Sequence, residues 1–337
     1  DTDFYVSQAI VDRLVYRREI LDMLAKATGK EKPVFIEYTD YHNAVKASHT
    51  EAGEKNIAVL YAIGDITENA DNGIASDRLV PQILELIDNP TVDGLILRVN
   101  SGGGSAFASE QIWEALEQFK AVTKKPFYVS MSDMAASGGY YISCGADKIF
   151  AEPLTLTGSI GIFGMIPNIE PLLKDHLGIN SETVATNAGG LPDILTPMSP
   201  AQREAMQEYV DRGYELFVSR CAKGRNMSID SIKAIAEGRV WDGQSALENG
   251  LVDCLGGLDT AIEHMAQALG ATASTVSISE YPLITPKWWQ PLLDMDTDLN
   301  AMQNLSDKLP LATGIRQLQH LRHMHPVQCR TNVMIIR

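Results

Sequence analysis

Between Asn56 and Pro153 the apolar positions follow two rhythms. "IAVLYAIGDI", "VDGLILRVN", "KPFYVSM" and "KIFAEP" are short, nearly continuous apolar runs, whereas "SDRLVPQILELIDNP" and "ASEQIWEALEQFKAV" return to an apolar residue every three or four positions. The first kind fits strands buried on both faces, the second helices with one buried stripe. Their alternation predicts an α/β fold with a largely parallel sheet covered on both faces. A short helix, "SGGYYISCGA", is expected after the third strand.

Beyond Pro200 the pattern turns mostly helical, in "PAQREAMQEYVDRGYELFVSRCAKGR", "SIDSIKAIAEG", "DGQSALENG" and "LDTAIEHMAQALG", with a last strand in "STVSISEY". Ser199 and Pro200 make a good helix start, and "GR" closes that helix. Ahead of the core, Ile10, Leu14, Val15, Ile20, Leu21 and Leu24 have helical spacing, followed by the strand-like "PVFIEYTDY". The chain therefore divides into residues 1–52, a core over 53–281, and an extension or partner-contacting arm over 282–337, where "KWWQPLL" and "LQHLRHMH" show weaker periodicity.

A net charge of -15 over 337 residues disfavours nucleic acid and anionic membrane surfaces, which would repel such a chain. No run approaches the roughly 20 apolar residues of a membrane span, so a soluble chain is expected. Cys144, Cys221, Cys254 and Cys329 lack ligand spacing and are expected to be buried thiols, and neither zinc nor any other cofactor is called for.

Candidate chemistry sits at strand ends. "RVNSGGGSAFASE" places three glycines between a strand and a helix, where main-chain N–H groups can approach an anion, and an ordinary tight turn is the plainer reading. "MAASGG" repeats this topology one strand later and puts Ser137 at a helix start, where free N–H groups and the dipole favour negative charge. A serine hydroxyl facing glycine amides is the minimum equipment for acyl transfer. None of His42, His49, His176, His264, His320, His323 and His325 falls at a strand end of the sheet, so a Ser-His-Asp triad is not supported. A neutral lysine is the alternative base; Lys148 and Lys174 lie nearest in sequence, and both read as solvated charges. In "TLTGSIGIFG", Ser159 either bridges nucleophile and base or belongs to a closely packed turn.

Taken together, "LRVNSGGGS", "SMSDMAASGGYYIS", "TLTGSIGIFG" and the later "GRVWDGQSALENGLVDCLGGLDTAI" resemble the signal peptide peptidase A (protease IV) family of the ClpP/crotonase-like superfamily, over about residues 55–280. The resemblance implies a repeated β-β-α spiral core and a membrane-associated serine peptidase that degrades signal peptides, in bacteria an inner-membrane-associated protein with an extracytoplasmic catalytic domain. It implies Ser137 as nucleophile, the Gly103 and Gly138 amides as oxyanion hole, and Ser159 as orienter of the base. Gly102 stands where the family's loop carries proline. The catalytic lysine of short members has no counterpart in "TNAGGLPDILTPMSP", and no lysine occurs between Lys174 and Lys223. Long members are tandem repeats, with the lysine in the first and the serine in the second. "SQAIVDRLVYRREILDMLAKATG" resembles the end of a first repeat, so this chain is expected to be the second half of a long form, inactive or weak by itself. Peptide substrates, the N-terminal repeat and a homo-oligomer are the implied partners. An acyl-CoA enzyme of crotonase type and a noncatalytic peptide-binding or assembly domain are the rival readings.

Overall fold

The computed structural model describes residues 6–9, 11–13, 15, 17–31, 35–36, 41, 54–70, 72–181, 193–282 and 327–330. The chain divides into two compact units, Asp1–Ala52 and Gly53–Arg337. In the first, helix α1 spans Arg17–Thr28. It begins later than the apolar spacing suggested, because Val11, Asp12, Arg13 and Val15 are not helical. Of the strand expected in "PVFIEYTDY", Phe35 and Ile36 are exposed and irregular, and most of the rest lies outside the described residues.

The second unit is built on an eight-stranded sheet. Its central strands are β1 (Lys55–Ile63), β4 (Gly94–Ser101) and β6 (Phe127–Ala136), each parallel to the next. β12 (Val276–Tyr281) pairs parallel outside β1, with Ile57 opposite Ile278. On its other side β6 carries two short strands in succession: β7 (Lys148–Ala151) along its first half and β8 (Leu156–Gly158) along its end. β11 (Cys254–Leu255) adds to β7, and β10 (Val240–Asp242) closes the sheet antiparallel to β8. A second sheet has the order β3-β2-β5-β13-β9, from Ile74–Ala75, Ile66–Thr67, Gly103–Ser105, Val327–Arg330 and Phe163–Gly164 respectively.

Successive side chains of a strand face opposite ways, and the core follows that rule. Ala58 and Leu60 join Leu95, Leu97 and Val129 in the larger core, against helices α2 (Ser76–Asp88), α3 (Ala106–Thr123) and α5 (Pro200–Arg225). Ile57, Val59, Ile96, Tyr128 and Phe150 face the other way, onto Ala261, Ile262 and Met265 of α8 (Leu258–Ala268). Both faces are thus covered, as the apolar runs required. Helix α5 opens with a capping box in which Ser199 and Gln202 satisfy each other's backbone N–H groups, and ends on Asn226 in the left-handed conformation. Two short helices follow, α6 (Ile229–Ile235) and α7 (Gly243–Glu248), capped by Ser228 and Asp242. Among the described residues no helix is long and apolar enough to cross a membrane.

Candidate active site

β6 ends at Ala136 and a single turn of helix, α4 (Gly138–Tyr141), begins two residues later. Ser137 occupies the junction, fully buried, with φ 55° and ψ -116°. A non-glycine residue in that region costs on the order of 1–3 kcal/mol, so its surroundings must hold it there. They do so from both sides. The Ser137 N–H donates to the Gly158 carbonyl at 2.8 Å, and Ala136 lies opposite Gly158 in the β6–β8 ladder. α4 is anchored by two buried tyrosines: the Tyr140 hydroxyl donates to the Leu251 carbonyl at 3.0 Å, and the Tyr141 hydroxyl to Glu110 at 2.6 Å. Glu110 also accepts from Arg220 at 2.6 Å, and the Tyr141 ring packs on Phe217 with centroids 4.5 Å apart. Burial first, and for Tyr141 the bond to Glu110 next, raise both phenols well above the ordinary tyrosine range.

The helix expected over "SGGYYISCGA" is α-helical only across Gly138–Tyr141. A single turn has little macrodipole, so the dipole expected to favour anionic Ser137 is weak here, and what the junction offers is local backbone N–H groups.

The glycine loop arrives from the neighbouring strand. Ser101, at the end of β4, lies opposite Ala135. Gly139 packs so closely on it that a Cβ there would stand 2.6 Å from the Ser101 carbonyl oxygen. The Gly103 N–H donates to the Ser101 hydroxyl at 3.1 Å. Gly103 has φ 98°, a conformation that glycine adopts without strain, and it starts β5, which runs into α3, capped by the Ser105 hydroxyl on Ala108 N–H. Ser159 follows the residue that holds Ser137 in place. It is 4% exposed, has φ 51°, and its N–H donates to the Arg239 carbonyl at 2.7 Å. Ser137, Gly138, Gly103 and Ser159 are therefore brought to adjoining ends of β6, β4–β5 and β8. The loop expected in "TLTGSIGIFG" is in part strand, as β8 and β9.

The basic candidates separate clearly. Lys148 lies opposite Tyr128, its Nζ 5.9 Å from that ring's centroid, at the far end of β6 from Ser137, roughly 30 Å of extended chain away. It is not the base. Lys174 is exposed in a π-helical turn, Leu172–His176, as a solvated charge is. His264 packs edge-on against Phe150, His176 shares the turn with Lys174, and the remaining five histidines lie outside the described residues. So does the "TNAGGLP" part of "TNAGGLPDILTPMSP". Cys144 and Cys221 are buried as expected, and Cys254 is half-buried. Sequence reasoning passed over Ser101, which occupies the Gly103 N–H, and the anchoring pair Tyr140 and Tyr141. "NSGGG" offers a serine beside the glycines as a signal for the first, but nothing local marks the tyrosines' partners.

The profile of peptidase family S49 matches residues 120–272. A putative signal peptide peptidase SppA from Enterococcus faecium is 36% identical over 234 residues, 67% of each chain. This chain belongs to family S49. Protease 4 of Salmonella typhi is 38% identical over 274 residues, covering 79% of this chain and 43% of that one; Protease 4 of Haemophilus influenzae is 32% identical over 332 residues, covering 94% and 53%. This S49 chain thus spans about half the length of the Protease 4 relatives it matches.

Proposed function

We propose that the chain is the serine-bearing half of an S49 endopeptidase that degrades apolar peptides such as cleaved signal peptides, with Ser137 as nucleophile. The observation that carries this is Ser137 itself: buried, held at φ 55° on a strand-to-helix junction, and set against a glycine loop from the adjacent strand. In the reaction, Ser137 Oγ attacks the substrate carbonyl carbon while its proton passes to a neutral lysine Nζ. The oxyanion accepts from the Gly138 N–H and from the Gly103 N–H, which turns from the Ser101 hydroxyl to the new acceptor. The C–N bond then breaks, the departing amine takes the lysine's proton, and an ester on Ser137 remains. Water attacks that ester while the lysine takes one of its protons, the ester C–O bond breaks, Ser137 Oγ recovers that proton from the lysine, and the carboxylic acid product leaves. Ser159, one residue beyond Ser137's backbone partner, orients the lysine.

The lysine is supplied by an N-terminal repeat. Two observations support this: no lysine lies between Lys174 and Lys223, and the Protease 4 relatives are about twice as long as the stretch they share with this chain. Residues 1–52 are then the end of that repeat, residues 53–281 the peptidase domain, and the whole enzyme a membrane-associated homo-oligomer.

The test is cleavage of a quenched apolar peptide by this chain with and without the lysine-bearing half. Losing the base costs roughly 10⁴- to 10⁶-fold in a serine hydrolase, so the chain alone should be near background and the mixture active. Ser137→Ala should abolish the activity of the mixture. Undiminished cleavage by Ser137→Ala would remove the nucleophile assignment, and full activity of the chain alone would remove the lysine assignment.

A further inference from the structure

Between Val99 and Ser101 the ladder joining β4 to β6 changes register. Val99 lies opposite Met131 but Ser101 opposite Ala135, so Asn100 alone faces three residues, Ser132, Asp133 and Met134. β6 thus takes in two residues more than its partner, a bulge of the kind that re-aims side chains beside functional sites. Its effect on the site follows from counting. Had the pairing of Val99 with Met131 continued, Gly103 would fall level with Ala135, and Ser137 would stand two residues, about 6–7 Å, farther along. With Ser101 opposite Ala135 instead, Gly103 and Ser137 leave the ladder together, each two residues on.

A bulge frees main-chain groups, and two side chains of β4 take them up. Arg98 and Asn100 are two positions apart and so share a face of the strand. The Arg98 guanidinium donates to the Met131 carbonyl at 2.9 Å, the Ser130 hydroxyl at 2.8 Å and the Ser132 hydroxyl at 3.0 Å. Asn100 Oδ1 accepts from the Met134 N–H at 3.3 Å, and its Nδ2 donates to Asp133 at 3.2 Å. The Asn100 carbonyl accepts from the Gly64 N–H at 2.9 Å, which ties it to the end of β1. The Thr155 hydroxyl, ahead of β8, donates to the Ser132 carbonyl at 2.7 Å. Arg98 therefore grips the bulge where it opens and Asn100 where it closes.

We propose that Arg98 and Asn100 are positioning residues of the peptidase: they hold β6 two residues out of step with β4, and that offset sets Ser137 against the Gly103 amide. This rests on the peptidase reading above. Both side chains act through the main chain of β6, so weakening their hold should slow the chemical step and leave peptide binding unchanged.

The reconstituted enzyme separates those two effects. Asn100→Ala removes the acceptor of the Met134 N–H, and a resulting displacement of about 0.5–1 Å at Ser137 should lower kcat roughly 10- to 100-fold with KM within about twofold. Arg98→Met keeps an apolar stem and should lower kcat in the same direction. Asn100→Asp sets two carboxylates side by side; with Asp133→Asn in the same chain the pair is restored in reverse, and kcat should return to within about threefold of the unaltered value. In the chain alone, where no lysine is needed, the Met134 amide should exchange roughly tenfold faster in Asn100→Ala than in the unaltered and swapped forms. Thermal melts check that each variant is folded, and the swapped pair decides the matter if Asn100→Ala is not. A kcat for Asn100→Ala within about threefold of the unaltered value would overturn the inference, as would a loss that the swapped pair does not recover or one carried by KM. Those results leave the peptidase reading standing so long as cleavage depends on Ser137. Cleavage that survives Ser137→Ala would remove the peptidase reading, while Met134 exchange would still report whether Asn100 holds the bulge.

Discussion

Gly139→Ala tests the meeting of the two loops at its tightest point. The new Cβ would lie 2.6 Å from the Ser101 carbonyl oxygen and 3.4 Å from that residue's carbonyl carbon and Cβ. Neither side has a flexible end to yield: Ser101 is in β4, 2% exposed, and Gly139 is in α4, pinned by Tyr140 and Tyr141. Restoring an ordinary contact near 3.4 Å needs a separation of about 0.8 Å. Overpacking of this kind costs about 1–3 kcal/mol, or roughly 3–10 °C in a domain of this size. The same displacement moves the Gly138 amide relative to Gly103, and misplacement approaching 1 Å costs about 10²-fold in rate. Gly257→Ala is the control. Its Cβ would come within 2.8 Å of Glu152 Oε1, the movable end of an exposed side chain, so it should cost little. Thermal melts of the chain and cleavage by the reconstituted enzyme report the two quantities separately. Gly139→Ala within about threefold of the unaltered rate, or equal losses in both variants, would refute the reasoning.

Two further outcomes follow from buried polar groups. Asp253→Ala strips Arg225, whose side chain is 6% exposed, of a two-point pair at 2.6 and 2.9 Å, and removes the acceptor of the Ile149 N–H. Breaking such a pair from one side should lower denaturant stability by about 3 kcal/mol, since Asp253 itself is one-third exposed; a loss under 1 kcal/mol would contradict this. Tyr140 and Tyr141 have raised pKa values in the folded chain, so above about pH 10 the unfolded chain ionises them while the folded chain does not. Their contribution is complete below that pH and is lost as pH rises beyond it. Tyrosinate absorbance should therefore fall at least two short of the chain's eleven tyrosines until unfolding, and a complete titration of the folded protein would contradict the assignment.

Much of this was legible in the chain. The apolar runs located β1, β4, β6 and β7, Ser199 and Pro200 located the start of α5, and "GR" located its end, because each depends on neighbours in sequence. "NSGGGS", "MAASGG" and "TGS" were recognisable as strand-end loops for the same reason. What escaped was nonlocal or short. Strands of the second sheet have two to four residues, too few for a period to emerge, and β13 is defined only by partners more than 150 residues away. α1 starts at Arg17 although Val15 shares the helical spacing, so spacing alone does not place a helix end. The strain at Ser137 was invisible because small neighbours permit it without announcing it.

The way β6 divides one edge between β7 and β8 has a consequence for precision. Tyr128–Ser130 are matched to Lys148–Phe150, Met134–Ala136 to Leu156–Gly158, and the opposite edge to β4. Sliding β6 by one residue would invert its side chains and break three independent matches at once. A long strand with a single partner can creep; this one is keyed along its length, and the key nearest its end is the Gly158 carbonyl that receives the Ser137 N–H. The serine's position is thereby indexed to the whole sheet. Loosening the helices would soften the domain long before it moved that hydroxyl along the strand.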